Sequence, residues 1–125
     1  MYEVSVEAVF SAAHRVRMPD GTLEPVHGHD WRVRVTFAAD VLNKAGFVVD
    51  FVAAENALRE AVGALHHTDL NTCPAMGGLN PSAENVARVI YDLIGRNEVL
   101  GAALDRVRVT EAPGCNATYI PKRST

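Results

Sequence analysis

Cysteine is scarce in this sequence. Only Cys73 and Cys115 occur, they form no Cys-x-x-Cys pair, and free thiols in a reducing compartment are the expectation. A basic cluster is also missing. The formal net charge is −3 and Lys and Arg are scattered, so no nucleic-acid partner is expected, because neutralising phosphates needs a basic face. Nor is there a long apolar run. The opening "MYEVSVEAVF" places Glu3 and Glu7 among its apolar residues, which argues against a signal peptide, a membrane span or a membrane partner. A cytoplasmic protein is expected. Repeats, low-complexity tracts and linkers are missing as well, so residues 1–125 read as one domain of common size.

What is present is a change of period along the chain. Val4, Val6, Ala8 and Phe10 alternate with Glu3, Ser5, Glu7 and Val9, which reads as a half-buried strand. Trp31, Val33, Val35 and Phe37 alternate in the same way with Arg32, Arg34 and Thr36. Between them runs a long loop containing "PDG", longer than a hairpin needs, which points to function. From Phe51 the apolar residues Ala54, Leu58, Ala61, Val62 and Leu65 recur at helical spacing. A second helix starts after Ser82, a natural N-cap, with Glu84 in its first turn and Val86, Val89, Ile90 and Leu93 as its stripe. Two short strands, "DRVRVTEA" and "ATYI", close the chain. The order ββααββ implies an α+β fold: a four-stranded antiparallel sheet with two helices on one face.

Against this frame "LEPVHGHDW" stands out. Residues two apart on an extended chain point the same way, so His27 and His29 project together, and they share parity with Trp31, on the core side. His14 follows the first strand as they precede the second, which makes the three neighbours in an antiparallel pair. Three neutral imidazoles converging from adjacent strands are the ligand set of a catalytic zinc site with one position open. The competing reading is a structural histidine pair. Glu111 shares a side with Val107 and Val109, so an acid ends an apolar row, where burial needs a partner. That partner is either a ligand or an arginine, unless the acid faces solvent.

The ordered set "FSAAH", "HGHDW", "VVDF", "LHHTDLN", "NPSAENVA" and "VTEA" with Tyr119 resembles the 6-pyruvoyltetrahydropterin synthase and 6-carboxytetrahydropterin synthase family along essentially the whole chain. The resemblance implies the tunnelling fold, in which ββααββ subunits build a closed β-barrel as trimers stacked into homohexamers with sites between subunits. It implies a pterin substrate, Zn2+ on His14, His27 and His29, and Glu111 as the acid that anchors the pterin ring.

Two positions depart from that pattern. The usual catalytic cysteine falls at Leu23, and the usual Asp-His pair reads His66-His67. Glu24 answers the first departure. A branch of the family carries Glu-x-x-His-Gly-His in place of the cysteine, here Glu24 to His29, and shortens the side chain of 7,8-dihydroneopterin triphosphate to give 6-hydroxymethyl-7,8-dihydropterin, the folate precursor. A carboxylate beside zinc can serve as general base. His67 remains as a candidate proton shuttle, and Asp69 could orient a neighbouring histidine ring. Alternatives are a 6-carboxytetrahydropterin synthase working toward queuosine and 7-deazaguanine, and a pterin-binding paralogue without the family reaction.

Overall fold

The structure, a computed structural model, describes residues 1–123. Two long strands open it, β1 (Tyr2–His14) and β2 (His27–Ala39), paired antiparallel without interruption from Tyr2↔Ala39 to His14↔His27. Helix α1 (Phe51–Gly63) follows, then β3 (Thr68–Asp69), a 3-10 turn at Pro74–Met76, α2 (Ala83–Gly95), α3 (Glu98–Ala103), β4 (Leu104–Ala112) and β5 (Cys115–Tyr119). The sheet order is β3-β1-β2-β4-β5, all antiparallel except β3, which runs parallel to β1. Among the described residues no helix is long and apolar enough to cross a membrane.

The α+β architecture expected from the sequence is present, with additions. The sheet has five strands rather than four, because Thr68 and Asp69 add a two-residue strand against Ala12 and Ala13; a segment that short has no period to read. A third helix, α3, stands beside the two expected. It is only six residues long, opened by Asn97, whose side chain accepts the Leu100 N–H. Both long strands also reach further than their apolar alternation suggests, so His14, His27 and His29 lie inside the ladder instead of beside it.

Parity sets the two faces of the sheet. Val6, Phe10, Ala12 and His14 of β1, and Trp31, Val33, Val35 and Phe37 of β2, are buried beneath the helices. Burial of such side chains contributes about 1.5–3 kcal/mol each. Helix α1 buries Ala54, Leu58, Ala61 and Val62, and α2 buries Val86, Ala87, Val89, Ile90 and Ile94. Each helix is stopped from fraying at its start by a side-chain cap, Asp50 on the Val52 N–H and Ser82 on the Asn85 N–H. Phe10 and Trp31 stack with centroids 5.8 Å apart, and the indole N–H donates to the Ala12 carbonyl at 3.2 Å. Trp31 thus ends the apolar core and forms a floor for whatever lies beyond it.

The close approach of α3 to α2 depends on one glycine. A Cβ at Gly101 would stand 2.8 Å from the Gly95 carbonyl oxygen, a main-chain atom that cannot turn aside. Gly101→Ala should therefore destabilise the fold by about 1–3 kcal/mol, the usual cost of overpacking, read as a lower urea midpoint with an unchanged slope.

Candidate active site

Beyond Trp31 the sheet carries imidazoles on the same face. His14 and His27 are cross-strand partners, the last pair of the β1–β2 ladder. His14 is fully buried, with its ring edge-on to Trp31 at 5.0 Å. Its Nε2 lies 3.0 Å from His27 Nε2. The β2–β4 ladder stops at Arg32↔Thr110, so the two strands fork there, and Glu111 reaches across the fork. Its Oε1 lies 2.8 Å from His14 Nε2 and 3.2 Å from His29 Nε2. A cleft of about 520 Å3 occupies the fork, with His29, Glu111 and Pro113 in its wall.

The hydrogen bonds behind the rings decide what the cluster can hold. His14 Nδ1 is 2.8 Å from the Pro81 carbonyl and His27 Nδ1 is 2.8 Å from the Pro25 carbonyl. A carbonyl only accepts, so in each neutral ring the proton sits on Nδ1 and Nε2 presents a lone pair. Those two lone pairs face each other, and one of them also faces a carboxylate. His29 Nε2 is buried and makes no hydrogen bond. Burial holds the His29 ring below the ordinary imidazole range, against the opposing pull of Glu111, which favours the neutral ring. Acceptors converging at these distances repel one another unless a proton or a metal ion lies between them. Tetrahedral ligands of a small divalent ion stand about 3.3 Å apart, and the nitrogen and oxygen atoms of His14, His27, His29 and Glu111 all lie within 4.8 Å of one another. The donor set fits such an ion.

Glu24 sits beside this group. Its Oε1 lies 3.7 Å from His27 Nε2 and 3.9 Å from His14 Nε2, and accepts the Val16 N–H at 2.9 Å. The acid is held by the main chain next to the imidazoles without entering their cluster.

His67 and Asp69 stand elsewhere. Both lie on the β1 edge, where the His67 N–H donates to the Ser11 carbonyl at 2.7 Å. His66 completes that pairing, because its Nδ1 accepts the Ser11 N–H at 3.1 Å. An imidazole here stands in for a strand neighbour. His67 stacks on His66 at 3.5 Å and is held at φ 58°, the one non-glycine in the left-handed region among the described residues. No hydrogen bond or ring contact joins it to His14, His27 or His29 among the described residues, although it shares an open cavity of about 420 Å3 with the His29 segment. The Asp69 carboxylate accepts the Asn71 N–H at 3.0 Å rather than orienting a histidine. Sequence reasoning passed over the Pro25 and Pro81 carbonyls and the Val16 N–H. They are main-chain groups, which leave no mark in residue identity.

The chain matches the 6-pyruvoyl tetrahydropterin synthase family over residues 3–122. It is 31% identical over 136 aligned residues to 6-carboxy-5,6,7,8-tetrahydropterin synthase of Bacillus subtilis (strain 168), covering 98% of this chain and 87% of that one. A similar identity, 31% over 104 residues, relates it to the Dihydroneopterin monophosphate aldolase of Pyrococcus furiosus, with 83% of this chain and 84% of the relative covered. Among solved structures, 6-pyruvoyl tetrahydropterin synthase of Caenorhabditis elegans superposes with a TM-score of 0.77 at 23% identity, over 98% of both chains. The chain belongs to the 6-pyruvoyl tetrahydropterin synthase family, a family of lyases in pterin metabolism.

Proposed function

We propose that this chain is a zinc-dependent lyase that shortens the side chain of 7,8-dihydroneopterin triphosphate to give 6-hydroxymethyl-7,8-dihydropterin, a step of folate formation in the cytoplasm. The observation that carries this reading is the Glu24 carboxylate, 3.7 Å from His27 Nε2 and tethered by the Val16 N–H, one residue after the position where the family's thiol is replaced by Leu23. The aldolase activity named for the Pyrococcus furiosus relative supports it.

His14, His27 and His29 would hold the zinc, which when bound supplies Lewis-acid polarisation of the side-chain hydroxyl groups. Glu111, in the cleft wall beside His29, turns from the imidazoles to accept the two N–H groups of the amino-pyrimidinone edge, in the way carboxylates accept an arginine fork. Glu24 removes the proton from the C2′ hydroxyl. As C2′–O becomes a carbonyl, the C1′–C2′ bond breaks, and its electron pair passes onto C1′ in conjugation with the C6=N5 bond of the dihydropterin. The proton on Glu24 balances the one that C1′ then takes up. The products are the hydroxymethylpterin and a phosphorylated two-carbon aldehyde. Trp31 and the apolar core beneath the rings keep water from that side.

His67 serves the site of a neighbouring subunit in this reading. The sheet is open at both sides: β3 covers only Ala12 and Ala13 of β1, and β5 ends the other edge. Unpaired edges are a hazard that barrel closure removes, which supports a homohexamer made of two trimers. A 6-carboxytetrahydropterin synthase is the second reading, favoured by the match to the Bacillus subtilis relative over 98% of the chain. Leu23 disfavours it, since the thiol is missing.

Mass identification of the product from 7,8-dihydroneopterin triphosphate and its monophosphate separates the two readings. A carboxy or pyruvoyl product would overturn the first. His27→Ala should lose most of about one zinc per chain while the fold remains, as measured by elemental analysis and circular dichroism. Glu24→Ala should keep the metal and bind pterin as the parent does, yet turn over about 10²-fold or more slowly. Light scattering at micromolar concentration should give the mass of a hexamer, and a monomer would leave His67 without a site to serve.

A further inference from the structure

The loop between β1 and β2 carries Glu24 and folds back on itself through one antiparallel bridge, Arg17 with Leu23, and the Met18 N–H on the Thr22 carbonyl at 2.7 Å. The Arg15 Nε–H also donates to the Glu24 carbonyl at 3.1 Å. On their other side its first three residues are paired by side chains from distant parts of the chain. Asn71 Oδ1 accepts the Arg15 N–H at 2.7 Å while its Nδ2 donates to the Arg15 carbonyl at 2.8 Å. Asn80 repeats the arrangement on Arg17, at 2.8 and 3.0 Å. A carboxamide used at both ends is a peptide group in miniature, so each asparagine acts as a one-residue strand partner. In extended chain the groups of residue 16 face opposite to those of 15 and 17. The Val16 N–H and carbonyl accordingly turn to Glu24: the N–H donates to Oε1 at 2.9 Å, and the carbonyl accepts the Glu24 N–H at 3.1 Å.

The two asparagines are themselves fixed. Asp69 accepts the Asn71 N–H at 3.0 Å. The Asn80 carbonyl accepts the Ser82 N–H and the Asn85 side chain, both at 2.8 Å, at the start of α2.

We propose that Asn71 and Asn80 are positioning residues for Glu24: they hold residues 15–17 in the geometry that aims the Val16 N–H at the Glu24 carboxylate and keeps it beside the imidazole cluster. The geometry stands on the hydrogen bonds alone, and its catalytic consequence rests on Glu24 being the base. A shift of the base near 1 Å costs up to about 10²-fold. Losing either asparagine should therefore lower kcat with little change in KM.

The test uses the zinc-loaded full chain with Asn71→Ala, Asn80→Ala, the double variant and Glu24→Ala. Asn71 is exposed and Asn80 half-buried, so the fold and the zinc content should remain. Amide exchange at Val16 should quicken by about 10-fold or more in the double variant, since protection tracks the local clasp. In Glu24→Ala the Val16 amide alone should be released, with Arg15 and Arg17 still protected. Turnover should fall about 10-fold or more in the double variant, and the same two substitutions should cost nothing further in the Glu24→Ala background.

A Val16 amide that stays protected without both asparagines overturns the proposal. So does an equal loss of turnover in the parent and in Glu24→Ala. If Glu24→Ala turns over at the parent rate, the reading of Glu24 as base fails, and the exchange measurement still decides the clasp. Should the double variant fail to fold, Asn71→Asp takes its place. It keeps the acceptor for Arg15 and removes the donor, so Val16 exchange should rise by a smaller factor, and no rise refutes the role of Asn71.

Discussion

The uninterrupted ladder between β1 and β2 is the constraint on which both the core and the site depend. Because side chains alternate strictly along it, one register places Phe10, Trp31 and Val33 under the helices and His14, His27 and His29 in line with them. A slip of one residue would send the imidazoles to the opposite face along with the whole apolar row. The energy that resists such a slip comes from the core, so the site inherits its precision from hydrophobic burial many ångströms away. Trp31 joins the two regions, packed on Phe10 on one side and edge-on to His14 and His29 on the other.

The site places acceptors where a solvent-exposed surface would scatter them. Main-chain carbonyls behind His14 and His27 fix the tautomer, Trp31 closes the floor, and Glu111 brings a carboxylate from a different strand across the fork. The local electrostatics are unfavourable unless a proton or a metal ion lies among those acceptors. The work of holding those groups together is done when the chain folds.

Residue pattern revealed this arrangement unevenly. Parity alone put His27 and His29 on the core side and Glu111 at the end of an apolar row, because strand alternation is a property of the sequence itself. The Ser82 cap and the α2 stripe were legible for the same reason. The β3 strand, the left-handed turn at His67 and the pairing of His66 with Ser11 were not, since each arises from contacts between residues about 55 positions apart. Asp69 shows the difference well. As a residue type it suggests proton chemistry near histidine, whereas in the fold it steadies the turn that presents Asn71.

The proline carbonyls behind His14 and His27 carry a consequence for how the protein can change over generations. A main-chain oxygen survives substitution of its own side chain, so the orientation of these two rings does not depend on which residues occupy the neighbouring loop positions. Positions 23 and 24 can therefore exchange a thiol for a carboxylate while the histidine frame persists. Chemistry at such a centre can diverge without each step first dismantling the scaffold that made it useful.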